Sequence, residues 1–158
     1  MIDYDYWSAS MPCDEDLLPA LGRVVWASLR LHHAVRDALN DVEGAPSDAP
    51  FDLPLGHAVA RLRDAAARVA EPARTDLLEW CDGPGARAAS SRDGVLGSIT
   101  FTAPDGRQAL GSRLPGRPTR YGPADLLRVV GDLVYADTQL PRGPYPRADH
   151  PLGPYPPR

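Results

Sequence analysis

Leu17, Leu21, Val24, Ser28, Leu31, Val35, Ala38 and Val42 recur at three- and four-residue steps, and this pattern constrains the fold more than any other feature. The spacing gathers small and apolar side chains on one face of a single long helix, and such a face must be covered. The helix is expected over residues 14–42. Asp14 can cap it, with Glu15 and Asp16 near its positive end. Pro19 falls in or near the first turn, where its missing N–H costs little.

A second helix is expected from Leu55, just after Pro54, to about Ala70. Leu55, Val59, Leu62, Ala66 and Val69 form its buried face, and Arg61, Arg63, Asp64 and Arg68 its wet side. Glu71-Pro72 ends it, because proline cannot continue helical hydrogen bonding and restricts its predecessor. A short third helix opens at Thr75 or Asp76 and carries Leu77, Leu78 and Trp80, until Asp82-Gly83-Pro84-Gly85 breaks the chain. A fourth helix follows over residues 86–96, weakened by Gly94 and Gly97 at up to ~1 kcal/mol each relative to Ala. Residues 98–102 alternate and are β-branched; Pro104-Asp105-Gly106 turns the chain, and residues 108–112 return as a second strand. A lone hairpin is marginal in water, so it must lie against the helices. The last helix starts at Pro123 and shows an apolar stripe of Leu126, Leu127, Val130, Leu133 and Val134. The expected fold is therefore mostly α: an up-and-down bundle of four to five helices with a small hairpin before the last.

At 158 residues the chain has room for one real core. Its net charge of −4 argues against a general polyanion binder. All 17 basic residues are Arg, alongside abundant Ala, Gly and Pro, which is the bias of a GC-rich genome rather than a sign of phosphate recognition. Cys13 and Cys81 match no zinc or redox spacing. The N-terminal residues are acidic and aromatic, unlike a signal peptide, and no stretch reaches the ~20 apolar residues of a membrane span. A cytoplasmic protein without membrane contact, metal or cofactor is expected. No phosphate-binding glycine loop or nucleophile elbow occurs.

Ser91-Arg92-Asp93-Gly94-Val95-Leu96-Gly97-Ser98 follows two strongly helical segments and precedes the hairpin. Together with Leu31-His32-His33-Ala34-Val35 in the first helix and Val59-Ala60-Arg61-Leu62-Arg63-Asp64-Ala65-Ala66 in the second, the order of elements resembles the small bacterial branch of the HEPN proteins. The likeness covers residues 17–137. The family motif is Arg, a polar residue such as Asn, then His four to six residues on. In active members the Arg can hold a scissile phosphate through its permanently charged donor fork. The His can move protons in attack by a ribose 2′-hydroxyl, without a metal. The resemblance carries the Arg onto Arg92 and the polar neighbour onto Asp93. Nothing matches the His, since Gly97, Ser98 and Ile99 stand in its place. It also implies a dimer, because pairing of two motif helices generally completes the site.

His32 is the available substitute base: with Val35 at the centre of the apolar face, the ~100° helical step puts His32 at its edge and His33 nearly opposite. A hydrogen-bonded histidine at the core margin is the simpler role for it. Arg113 and Arg117 lie in a basic loop after the hairpin and are further candidate binding residues. Residues 141–158 read as a proline-rich, disordered tail without a ligand; the alternative is a linear ligand, since Gly-Pro-Tyr-Pro occurs twice and offers Tyr145 and Tyr155 as its aromatic anchors. Truncation after Leu140 is then expected to leave stability nearly unchanged. The organisation is thus an arm over residues 1–13, a HEPN-like domain over 14–140 and the tail. The functional expectation is a homodimer with a degenerate motif that binds a protein or RNA partner. Its alternatives are a metal-independent ribonuclease of a toxin–antitoxin or phage-defence system, using Arg92 with His32 or another substitute base, and an adaptor recognised through its tail.

Overall fold

Helix α1 spans Leu17–Glu43 and buries Val24, Ser28, Leu31, Val35, Ala38 and Val42, the face its periodicity marks. The computed structural model describes Asp3, Tyr6 and residues 16–148. Most of the acidic arm, Asp14, Cys13 and the second Gly-Pro-Tyr-Pro repeat with Tyr155 lie outside the described residues. Gly44 ends α1 in the left-handed region at φ 69°, where its N–H donates to the Asn40 carbonyl. Glycine takes that conformation without the Cβ penalty other residues meet.

Residues 44–54 carry the chain back along α1 before α2 begins at Leu55. His32 in mid-α1 bonds the Leu53 carbonyl at 2.8 Å, and Glu43 at the end of α1 pairs with Arg61 at 2.7 Å. The two helices therefore run the same way, so the up-and-down alternation skips at this step while the helical bundle itself stands as expected. Helix α2 covers Leu55–Ala65 and tightens into a 3₁₀ turn at Ala66–Arg68. Its predicted inner face, Leu55 to Val69, is buried throughout.

Helix α3, Ala73–Trp80, and helix α4, Ala86–Leu96, are joined by a π-helical turn at Cys81–Gly85. The break expected at Asp82-Gly83-Pro84-Gly85 does not occur. A wider turn absorbs Pro84, whose ring and missing N–H are incompatible with a regular α-helical turn. Gly85 lets the Trp80 ring lie across that turn, since a Cβ there would stand 2.7 Å from a ring carbon. The Trp80 indole N–H then reaches across the bundle to the Ala136 carbonyl at 2.9 Å.

Strands β1 (Ile99–Thr102) and β2 (Gln108–Gly111) pair antiparallel, Ile99 opposite Gly111 and Thr102 opposite Gln108. On the other edge of β2, Tyr121 N–H donates to Leu110 O at 2.6 Å and Ser112 N–H to Pro118 O at 2.9 Å. The hairpin is thereby tied to the entry of helix α5, Pro123–Gln139. There Pro123 takes the first helical position, and the Asp125 carboxylate accepts from Gly122 N–H at 3.0 Å. Helix α5 packs chiefly on α1 and turns Leu126, Val129, Leu133 and Ala136 inward. Leu127 and Val134, expected in its buried stripe, are exposed instead, because the inward face is centred one residue away.

The expected disordered tail also needs correcting over residues 141–148. Tyr145 is 9% exposed and belongs to the core, and its hydroxyl donates to the Pro141 carbonyl. Ala70 N–H donates to Pro146 O at 2.7 Å, Ala148 N–H to Arg68 O at 3.0 Å, and Val69 and Arg147 form an antiparallel bridge. Proline-rich composition disfavours packing only when nothing offsets the ordering entropy. Here a buried aromatic ring and two backbone hydrogen bonds supply the offset.

Candidate functional site

Arg92 and Asp93 sit on α4, about one turn from its end. The Arg92 guanidinium donates to its neighbour's carboxylate at 2.7 Å, with side-chain exposures of 26% and 53%. Such a half-exposed pair is worth little, about 0–1 kcal/mol, so it does not lock the guanidinium away from a phosphate. The Asp93 carboxylate lies against the first turn of α2: a Cβ on Gly56 would be 3.8 Å from one of its oxygens. A negative charge near a helix N-terminus is favoured by the unpaired N–H groups there.

Gly97, where the motif His would stand, is the residue that closes α4. It adopts φ −87°, ψ 4°, and a Cβ on it would come 2.8 Å from the Asp93 carbonyl oxygen. A larger residue at this position would press on the helix backbone itself. Ser98 turns its hydroxyl back to the Gly94 carbonyl at 2.6 Å, so it is not aimed at Arg92.

His32 is half-buried at the margin of the core, the simpler of its two expected roles. Because a carbonyl only accepts, the bond to Leu53 O makes Nε2 the protonated nitrogen and leaves Nδ1 as the basic one. The Phe51 ring packs against the imidazole at 5.3 Å between centroids. His32 thus reaches the chain at Leu53, and Asp93 touches it at Gly56. The structure brings the substitute base and the Arg92–Asp93 pair to the same stretch at the start of α2. His33 faces outward and meets Asp37 at 3.7 Å, and His57 is exposed.

The two loop arginines separate. Arg117 folds back on α4 and donates to the Ser90 carbonyl at 2.8 Å and hydroxyl at 3.0 Å. Gly94 makes room for it, since a Cβ there would stand 2.6 Å from the guanidinium and 3.0 Å from the Tyr121 hydroxyl. Arg117 is therefore a strut between loop and motif helix. Arg113 is exposed and lines a shallow groove of about 610 Å³ with Ile99, Phe101 and Thr119 beside the hairpin. Tyr145, assigned to a linear ligand, is closed in the core and unavailable to a partner. Cys81 is a buried free thiol pushed from 9.0 up to about 12 by burial, so it carries almost no thiolate at neutral pH. No group of three or more His, Cys, Asp or Glu side chains suited to a metal occurs among the described residues. No helix among them is long and apolar enough to cross a membrane.

What the sequence reading passed over is an exposed apolar face on the outside of α1 and α5. Trp26 is 68% exposed, and Leu29, Val134 and Tyr135 are each about half exposed. The signal was present: Leu18, Val25, Trp26 and Leu29 form a second apolar stripe on α1, opposite the buried one. No protein-family model, curated protein or solved structure matches the chain.

Proposed function

We propose that this chain is a HEPN-like helical domain with a degenerate motif that works by binding a protein partner rather than by cleaving RNA. One observation carries the reading. Around Arg92 the residue at the motif-His position is a glycine that closes the helix, and the expected substitute, His32, is held against Leu53 and Phe51. An Arg can hold a phosphate but cannot move the protons, and general acid–base help is worth ~10²–10⁴-fold. Protein is favoured over RNA by the net charge of −4 and by the internal partners of Arg92 and Arg117.

A second reading has its own support: His32 bonds the Leu53 carbonyl and Asp93 lies near Gly56, three residues further along the chain. That reading is a metal-independent ribonuclease using Arg92 with His32. Incubating the purified chain with RNA in EDTA separates the two. The binding-domain reading expects no cleavage above buffer. Cleavage that persists in EDTA and disappears in both Arg92→Ala and His32→Ala, with His33→Ala unaffected, establishes the ribonuclease instead.

A further inference from the structure

We infer that the outer face of α1 and α5 is where a second copy of this chain docks, each copy inserting Trp26 into a groove of the other. The two helices run side by side in the same direction: Arg30 meets Asp137 at 3.4 Å, and Gly143, beyond the end of α5, approaches Asp41 further along α1. Each carries the same outward pattern. On α1 it is Leu18, Gly22, Val25, Trp26 and Leu29; on α5 it is Leu127, Gly131, Val134, Tyr135 and Thr138. A Cβ added to Gly22 or Gly131 would meet nothing within 4 Å, so the glycines are low points between apolar ridges. Between the helices lies a groove of about 590 Å³ with Gly22, Trp26, Ala27, Val130 and Val134 among its walls.

Two arguments favour a second copy as the occupant. The first is area. Covering the exposed parts of the seven large apolar side chains on the two ridges removes on the order of 700 Å² per copy. With their polar rim that reaches the ~800 Å² per partner of a specific interface. The second is self-complementarity. A two-fold contact requires one patch to carry both the projecting and the receiving element. This face does so, with Trp26 standing at the lip of the groove that would receive its counterpart. The groove also holds charge, since Arg23, which has no ion pair among the described residues, and the Arg30–Asp137 pair line it beside the apolar ridges.

The inference supplies a partner for the binding function proposed above. It is tested by mass rather than by RNA cleavage, so the two readings can fail separately. In sedimentation velocity of the full chain across the micromolar range, the unaltered protein is expected as a dimer. Trp26→Ala should weaken it ~30-fold, as for a central Trp anchor. Trp26→Phe should retain it within a few-fold, and Leu29→Glu should leave only monomer. Helical circular dichroism should be unchanged in all three, because both residues are already exposed in the single chain. Arg87→Ala, exposed on α4, should leave the dimer intact. A monomer at every concentration overturns the inference, as does a dimer indifferent to both Trp26→Ala and Leu29→Glu. So does an open-ended series of larger species, or a monomer that pairs only with some other protein.

Discussion

Replacing Tyr145 with Ala should destabilise the fold by about 3 kcal/mol, although the residue sits in the most proline-rich part of the chain. Deleting a buried aromatic side chain costs ~3–5 kcal/mol, and Tyr145 lies at the core's rim rather than its centre, which points to the lower end. Residues 141–148 also contribute two backbone hydrogen bonds, from Ala70 N–H to Pro146 O and from Ala148 N–H to Arg68 O. Each is worth ~0.5–1.5 kcal/mol net. Those bonds are lost only if the whole strap detaches, and detachment recovers ~1–2 kcal/mol of backbone entropy per residue freed. The freed entropy therefore caps the loss and keeps it from growing beyond the ring's own contribution. Tyr145→Phe, which removes only the bond to the Pro141 carbonyl, should cost about 1 kcal/mol. Urea unfolding followed by circular dichroism reads both values. Thermal midpoints should fall by roughly 6–12 °C for Ala and a third of that for Phe, at ~2–4 °C per kcal/mol. A Tyr145→Ala variant within ~0.5 kcal/mol of the unaltered protein would refute the reasoning, and so would truncation after Leu140 with no change in midpoint.

Gly85→Ala should destabilise by ~2 kcal/mol even though Ala is the better helix former by ~1 kcal/mol. The added methyl meets the Trp80 ring, which its bond to Ala136 prevents from moving aside; chemical denaturation measures the outcome. In a Cys13→Ser background, Cys81 should react with a thiol reagent only as fast as the protein unfolds, and rapid labelling under native conditions would contradict its burial. Stability should decline from about pH 9 to about pH 12. Burial pushes Cys81 from 9.0, and Tyr145 from 10.0, up to about 12. Both are neutral acids stabilised by the fold, so their contribution is complete below the unfolded values and lost as pH rises through the folded ones. Denaturation midpoints against pH check this, and Tyr145→Phe should shallow the alkaline slope.

The inner faces of α1 and α2 were legible because each carries a long unbroken run of small and apolar residues at three- and four-residue steps, and the four-residue strands were legible from β-branching and a Pro-Asp-Gly turn. Helix α5 misled because Leu126-Leu127 and Leu133-Val134 place two apolar residues side by side. Periodicity alone does not say which of two overlapping stripes faces the core. Asp82-Gly83-Pro84-Gly85 misled because local breaker chemistry was weighed without the Trp80 ring, whose long-range bond to Ala136 makes the π turn worthwhile. Tyr145 misled for the same reason, since its pocket is formed by segments remote in sequence. At the site, Arg92 and Asp93 could be placed on their helix from sequence. That His32 meets Leu53 just before α2 while Asp93 lies near Gly56 in its first turn depends on residues 44–54 doubling back, which no spacing reveals.

Nor was it visible that the arginines assigned to binding differ in what they have to give up. Arg117 donates twice to Ser90 and sits in space that Gly94 leaves open, so lending it to an anion would uncouple the loop from α4. Arg92 gives up less, but Asp93 beside it cancels its charge and would repel an incoming phosphate. Arg113 alone of the three has no ion pair or hydrogen bond among the described residues, and it lies across the hairpin rather than on the motif helix. Three cations that could act together would make a phosphate site; one strut, one neutralised pair and one outlying guanidinium do not. The surface with material to offer a partner is the apolar one. Its exposed ring and open glycines need no rearrangement to be covered, and covering them costs no ion pair. That asymmetry, more than the missing imidazole by itself, is why we favour protein contact over RNA.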